Sequence, residues 1–160
     1  MRKLVLVLLV ATLTAAAGAQ AADRALIVYR VTEAPEPLGR TDECPEGGGV
    51  ATMRSPSGRE IGKSRLCLQN VEFTCERVCV QRETGTLTNT LARGQIFLDV
   101  RFNYIFNESF SRAVHFATGT VTGGTEAYEG SSGSLRGGGP IRFDPDFTAH
   151  PNLVYVTRVR

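Results

Sequence analysis

Tryptophan is absent from this 160-residue chain, and lysine, histidine and methionine each occur only twice. No apolar run beyond residue 21 approaches the roughly 20 residues of a membrane-spanning helix, which excludes a helical anchor downstream of the N-terminus. No cysteine precedes Cys44, so no thiol is available for lipid attachment at an early cleavage point. No lysine follows Gly119 and Gly124 at phosphate-loop spacing; Thr125 stands there instead, and nucleotide binding is excluded. The serine-hydrolase elbow is also missing, because Gly130-Ser131-Ser132-Gly133 has the wrong spacing and neither His115 nor His150 stands near a Ser or Cys nucleophile in sequence. Glu126 and Glu129 are solvated loop residues by position: they sit three apart in a glycine-rich turn, whereas glycosidase acids are held across a cleft.

With 42% hydrophobic and 21% charged residues, the composition is that of an ordinary globular domain. Its first 21 residues read as an export signal: Arg2 and Lys3, a charge-free stretch from Leu4 to Ala17, then Ala17-Gly18-Ala19 and Ala19-Gln20-Ala21 as cleavage sites. Residues 22–160 are then one mature domain, released to an extracellular or periplasmic space. Without Arg2 and Lys3 the chain carries 16 basic and 16 acidic side chains, so nothing electrostatic favours nucleic acid or an anionic membrane. The arginine bias, 16 to 2 over lysine, fits GC-rich coding and a bacterial source. In that setting Asn107-Glu108-Ser109 is a turn that happens to match the glycosylation pattern.

Cys44, Cys67, Cys75 and Cys79 form an even set in an exported chain and are expected as two structural disulfides. Zinc is disfavoured because the spacings lack a paired C-x2-C knuckle, and no metal is expected. Three pairings are open. A hairpin joining residues 62–69 to 77–88 around residue 73 would set Cys67 opposite Cys79 and leave Cys44 for Cys75.

Period-two alternation and turn residues recur through the mature chain while helical periodicity is scarce, which predicts an all-β domain. Strands are expected over 24–32, 50–54, 59–69, 78–91, 95–106, 113–122 and 153–159, with a hairpin turn at Pro56-Ser57-Gly58. In the first, Ala25, Ile27, Tyr29 and Val31 share a face. The clearest is 95–106, where Ile96, Leu98, Val100, Phe102, Tyr104 and Phe106 share one face and Asp99, Arg101 and Asn103 lie on the other, read as a solvated wall. Strands this long suit a closed barrel, with 153–159 pairing back to an early strand. Eight glycines fall between Gly119 and Gly139, and residues 33–49 form a long loop.

The segment from Thr122 to Gly133, Thr-Gly-Gly-Thr-Glu-Ala-Tyr-Glu-Gly-Ser-Ser-Gly, resembles the T-G-G-[ST]-G-x-[FY]-x-G-[AS]-x-G signature of the allene oxide cyclase barrel family, a form shared by dirigent proteins. In the expected order, Ser57-Gly58-Arg59-Glu60-Ile61-Gly62 resembles that family's D-x-x-G-x-x-V-G turn, Gly94-Gln95-Ile96 its G-x-I strand start, and Val28 to Glu33 its V-Y-E-I-N-E opening. Gly123, Gly124, Tyr128, Gly130 and Gly133 are the motif turn, in which the tyrosine covers backbone left bare by glycine. Glu126 replaces a glycine and would be strained if that position needs positive φ.

The resemblance implies a single antiparallel eight-stranded β-barrel, a cavity for an apolar ligand, no cofactor, and a dimer or trimer. It places Arg30 where the plant cyclases carry a cavity glutamate and Thr32 where they carry an asparagine. A cation there cannot stabilise a developing positive charge, so the plant reaction is not implied here. Tyr29, Phe102 and Tyr104 are the candidate pocket residues, against core packing as the alternative. The function expected is a secreted binder of a small apolar molecule that steers a cofactor-free cyclisation or isomerisation, against a structural or interaction module with a filled barrel.

Overall fold

The computed structural model describes residues 25–160, and the expected export signal over 1–21 lies outside the described residues. The chain forms β1 (Ala25–Val31), β2 (Glu36–Leu38), β3 (Gly48–Arg54), β4 (Glu60–Cys75), β5 (Cys79–Leu91), β6 (Gly94–Phe106), β7 (Arg112–Gly124), β8 (Gly133–Phe143), β9 (Ala149–Pro151) and β10 (Leu153–Val159), with one 3-10 turn at Glu126–Tyr128. Eight strands close an antiparallel barrel in the order β1-β10-β8-β7-β6-β5-β4-β3, and β3 meets β1 again at Arg54 and Arg30. The short β2 and β9 add to β3 and β8.

Alternation decides which side chains enter. On β6, Ile96, Leu98, Val100 and Phe102 are buried while Asp99 and Arg101 are exposed, so the charged residues form the outer wall. The last strand pairs with the first along its whole length, from Ala25 opposite Val159 to Val31 opposite Leu153. Met53, Ile96, Leu98 and Leu135 are almost completely buried and plug one end of the barrel. The turns between β3 and β4, β5 and β6, and β7 and β8 lie at that end.

Apart from the short β2 and β9, β8 is the strand the sequence pattern leaves unmarked. Its run Gly137-Gly138-Gly139-Pro140 is depleted in strand-forming residues, yet close approach requires glycine there. A Cβ on Gly137 would lie 2.6 Å from Cδ1 of Tyr155, whose ring occupies the space a side chain would fill.

The disulfides differ from the pairing expected of a hairpin around residue 73. Cys44 bonds Cys67 and Cys75 bonds Cys79. β4 does not end at residue 69 but passes through a bulge between Leu68 and Asn70 and continues to Cys75, so the reversal falls at residues 76–78. Cys75 then faces Cys79, while Cys67 faces Thr86 and is free to anchor the 33–47 loop through Cys44. Two disulfides are compatible with an oxidising extracellular or periplasmic compartment.

Candidate functional site

The end opposite the plug is open and leads into a cavity of about 460 Å³. The inward faces of the strands that line it carry Tyr29 and Val31 from β1, Leu66 and Leu68 from β4, Leu87 from β5, Phe102, Tyr104 and Phe106 from β6, and Leu153 and Tyr155 from β10. Tyr29, Phe102 and Tyr104, the three candidates from sequence, therefore line the same cavity, Tyr29 from β1 and the other two from β6 on the opposite side of the barrel. Around the mouth, Phe106 lies with ring centroids 5.6 Å from Phe110, 6.0 Å from Phe143 and 6.1 Å from Phe73. Phe73 comes from the part of β4 that overhangs the barrel beyond its bulge, and its ring is half exposed. The rim is thus as apolar as the wall behind it.

Polar groups inside the barrel form a connected belt that periodicity alone does not reveal. The Tyr29 and Tyr155 rings stack with centroids 5.1 Å apart. Tyr155 Oη lies 3.0 Å from His115 Nε2, and the His115 ring rests against Tyr104 at 4.6 Å and Phe102 at 5.1 Å. Burial without a compensating charge lowers the His115 pKa to about 4, so the imidazole is neutral near pH 7. Its Nδ1 has no partner among the described residues, whichever tautomer is present. Further round, Ser64 Oγ donates to Asn89 Oδ1 at 2.8 Å, with the Tyr29 hydroxyl close to both residues. Burial raises the hydroxyl pKa of Tyr29, Tyr104 and Tyr155 alike, keeping each a neutral donor.

Among the described residues, Glu83 is the one acid on the cavity wall. It is 7% exposed, sits opposite Phe102 on the neighbouring strand, and accepts a 2.6 Å hydrogen bond from Gln81 Nε2. Desolvation raises its pKa, and hydrogen bonds from Gln81 and Tyr104 pull it part of the way back. Sequence reasoning passed over Glu83 because β5 reads as an indifferent threonine-rich strand. The available signal was its parity: Glu83, Leu87 and Asn89 alternate in step, so an inward leucine carries the glutamate inward too.

Arg30 does not occupy the cavity. Tyr29 and Val31 face in, and the Arg30 guanidinium lies outside, where Nη2 donates to Asn152 Oδ1 at 2.9 Å. The cavity thus contains neither an arginine nor an acid at that strand position; its acid comes from β5. Motif residues Gly123, Gly124, Tyr128, Gly130 and Gly133 span the β7–β8 connection at the plugged end, from the last two residues of β7 to the first of β8, remote from the mouth. A Cβ on Gly124 would come within 2.6 Å of Tyr128 Cβ, which is the covering role expected of that tyrosine. Glu126 has φ 53°, so the position does demand the left-handed region despite the missing glycine. Thr125 N donates to Gln95 O at 2.9 Å, and Gln95 N donates to Thr125 Oγ1 at 3.0 Å, joining this turn to the Gly94-Gln95-Ile96 strand start.

Among the described residues, no group of three or more His, Cys, Asp or Glu side chains is arranged to hold a metal ion. Comparison with protein-family models, with curated proteins and with solved structures finds no match to this chain.

Proposed function

We propose that this protein is an exported barrel of the allene oxide cyclase and dirigent type that takes one small, largely apolar molecule into its open end. The observation that carries this reading is the cavity itself: about 460 Å³, one-ended, and walled mainly by aromatic and aliphatic side chains. Small-molecule sites have these properties, typically within roughly 300 to 1,000 Å³. A filled barrel serving only as a structural or interaction module would pack its interior throughout, and the mouth half is not packed. Any reaction is a cofactor-free cyclisation or isomerisation, in which the wall holds a reactive conformer and excludes water. Neutral Tyr104 and Tyr155 hydroxyls and the Glu83 carboxyl supply polar contacts to such a molecule. Export to an oxidising space fits the two disulfides, and a dimer or trimer follows from the same resemblance.

Native mass spectrometry of the protein recovered from culture supernatant tests this directly, reading cleavage, disulfides, subunit number and retained ligand together. The expected result is a bound apolar mass, or saturable one-to-one binding of an apolar fluorescent dye. Ala51→Trp places an indole in the cavity and lowers dye affinity at least about tenfold with an unchanged circular dichroism spectrum. Undiminished dye binding by that variant would move the site out of the barrel and refute the proposal.

A further inference from the structure

The geometry points to a lipophilic amine, bound as its ammonium ion with the charge between the Glu83 carboxylate and the aromatic wall, as the ligand class of this cavity. This inference rests on the cavity being the binding site.

Three observations converge on it. First, Glu83 has no countercharge. Among the described residues no Arg, Lys or His lines the cavity, and none forms an ion pair with Glu83. The nearest buried base on the belt, His115, is neutral near pH 7 because of its own desolvation. A buried carboxylate without a partner is costly, and either a proton or an incoming cation must offset that cost. Second, the surroundings of the carboxylate are aromatic. Phe102 is directly opposite Glu83 across the β5–β6 pairing, Tyr104 lies close to it, and Phe106 and Tyr155 face the same space. Faces of Phe and Tyr attract cations, and a carboxylate combined with such rings is the chemistry that holds alkylammonium groups. Third, among the described residues the rest of the wall, from Leu66 and Leu68 to Leu153, offers no second charge, so the remainder of the ligand must be apolar and uncharged.

The groups that face Glu83 are accounted for by element: Gln81 on its own strand, Phe102 and Tyr104 on β6, and Tyr155 on β10. Both tyrosines remain neutral because burial raises their pKa values, so they neither supply nor remove charge. Recognition therefore depends on one ionisable side chain of the protein.

The test uses three probes of one skeleton: phenylbutylamine, phenylbutanol and phenylbutyrate, titrated calorimetrically near neutral pH into the purified disulfide-bonded protein. The amine is expected to bind at least about tenfold more tightly than the alcohol, with the carboxylate weakest. In Glu83→Gln the ratio of amine to alcohol affinity collapses toward one. Equal or better binding of the alcohol or the carboxylate by the unaltered protein overturns the amine assignment while leaving the cavity reading standing. Failure of all three probes to bind removes the cavity reading itself and this inference with it. The comparison on the unaltered protein decides the matter even if the variant folds poorly.

Discussion

Acidifying the protein from about pH 7 to about pH 4 should expose the cost of burying His115. Its imidazole is 1% exposed, packed against Phe102 and Tyr104, and among the described residues bonded only to Tyr155. In the unfolded chain it titrates at its ordinary value near 6.5, whereas in the barrel its pKa is lowered to about 4. Between those two values the unfolded chain binds the extra proton and the native state does not. The histidine's contribution is therefore complete above about pH 6.5 and is lost as pH falls toward about 4. A gap of about two and a half pH units corresponds to roughly 3 kcal/mol, a large fraction of the stability of a domain this size. Glu83 acts in the opposite sense: its pKa is raised, so its protonation on acidification favours the native state above its unfolded value. Urea unfolding across the pH series, on the unaltered chain and on His115→Gln, isolates the histidine because the Glu83 contribution is common to both. Carbon-13 spectra of labelled histidine identify the His115 ring as the signal lost in the variant. A stability difference between the two proteins that stays flat from about pH 6.5 to about 4, or a His115 ring that titrates near 6.5, refutes the burial argument.

The disulfides should be unequal. Cys44–Cys67 closes a separation of 23 residues and Cys75–Cys79 one of 4, so removing the first pair as Cys44→Ala with Cys67→Ala costs about 3 kcal/mol and removing the second about 2. Denaturant melts give the order, a reversed order would contradict it, and non-reducing peptide maps should return these two pairs. Glu126→Gly relieves a left-handed backbone that disfavours side chains, and it should raise stability by up to about 1 kcal/mol. A loss of stability in the same melts would show that the glutamate makes up its strain through contacts.

Much of the site's wall was legible because strand parity is a local property. The run Ile96, Leu98, Val100, Phe102, Tyr104, Phe106 can bury only one way without exposing six large side chains, and the alternation at Tyr29 and Val31 is nearly as plain. The polar belt was not legible, because Glu83, Asn89 and His115 carry no periodic signal of their own and enter the barrel only by sharing parity with inward neighbours. β8 was hidden for a different reason: its glycines are there to admit the Tyr155 ring and neighbouring backbone, and the partner that demands them is distant in the chain.

The sequence by itself determined the all-β class, the barrel's most apolar face, closure by residues 153–159, and the glycine turn between β7 and β8, since these depend on period, turn chemistry and side-chain volume. Tertiary structure alone decided the cysteine pairing, the overhang of β4 beyond the barrel, and which end stays open. The cysteine pairing and the overhang of β4 depend on cross-strand register and on one bulge at the Leu68–Asn70 step. A single extra residue there shifts every later partner on β4, and no local preference along the chain sets where it falls.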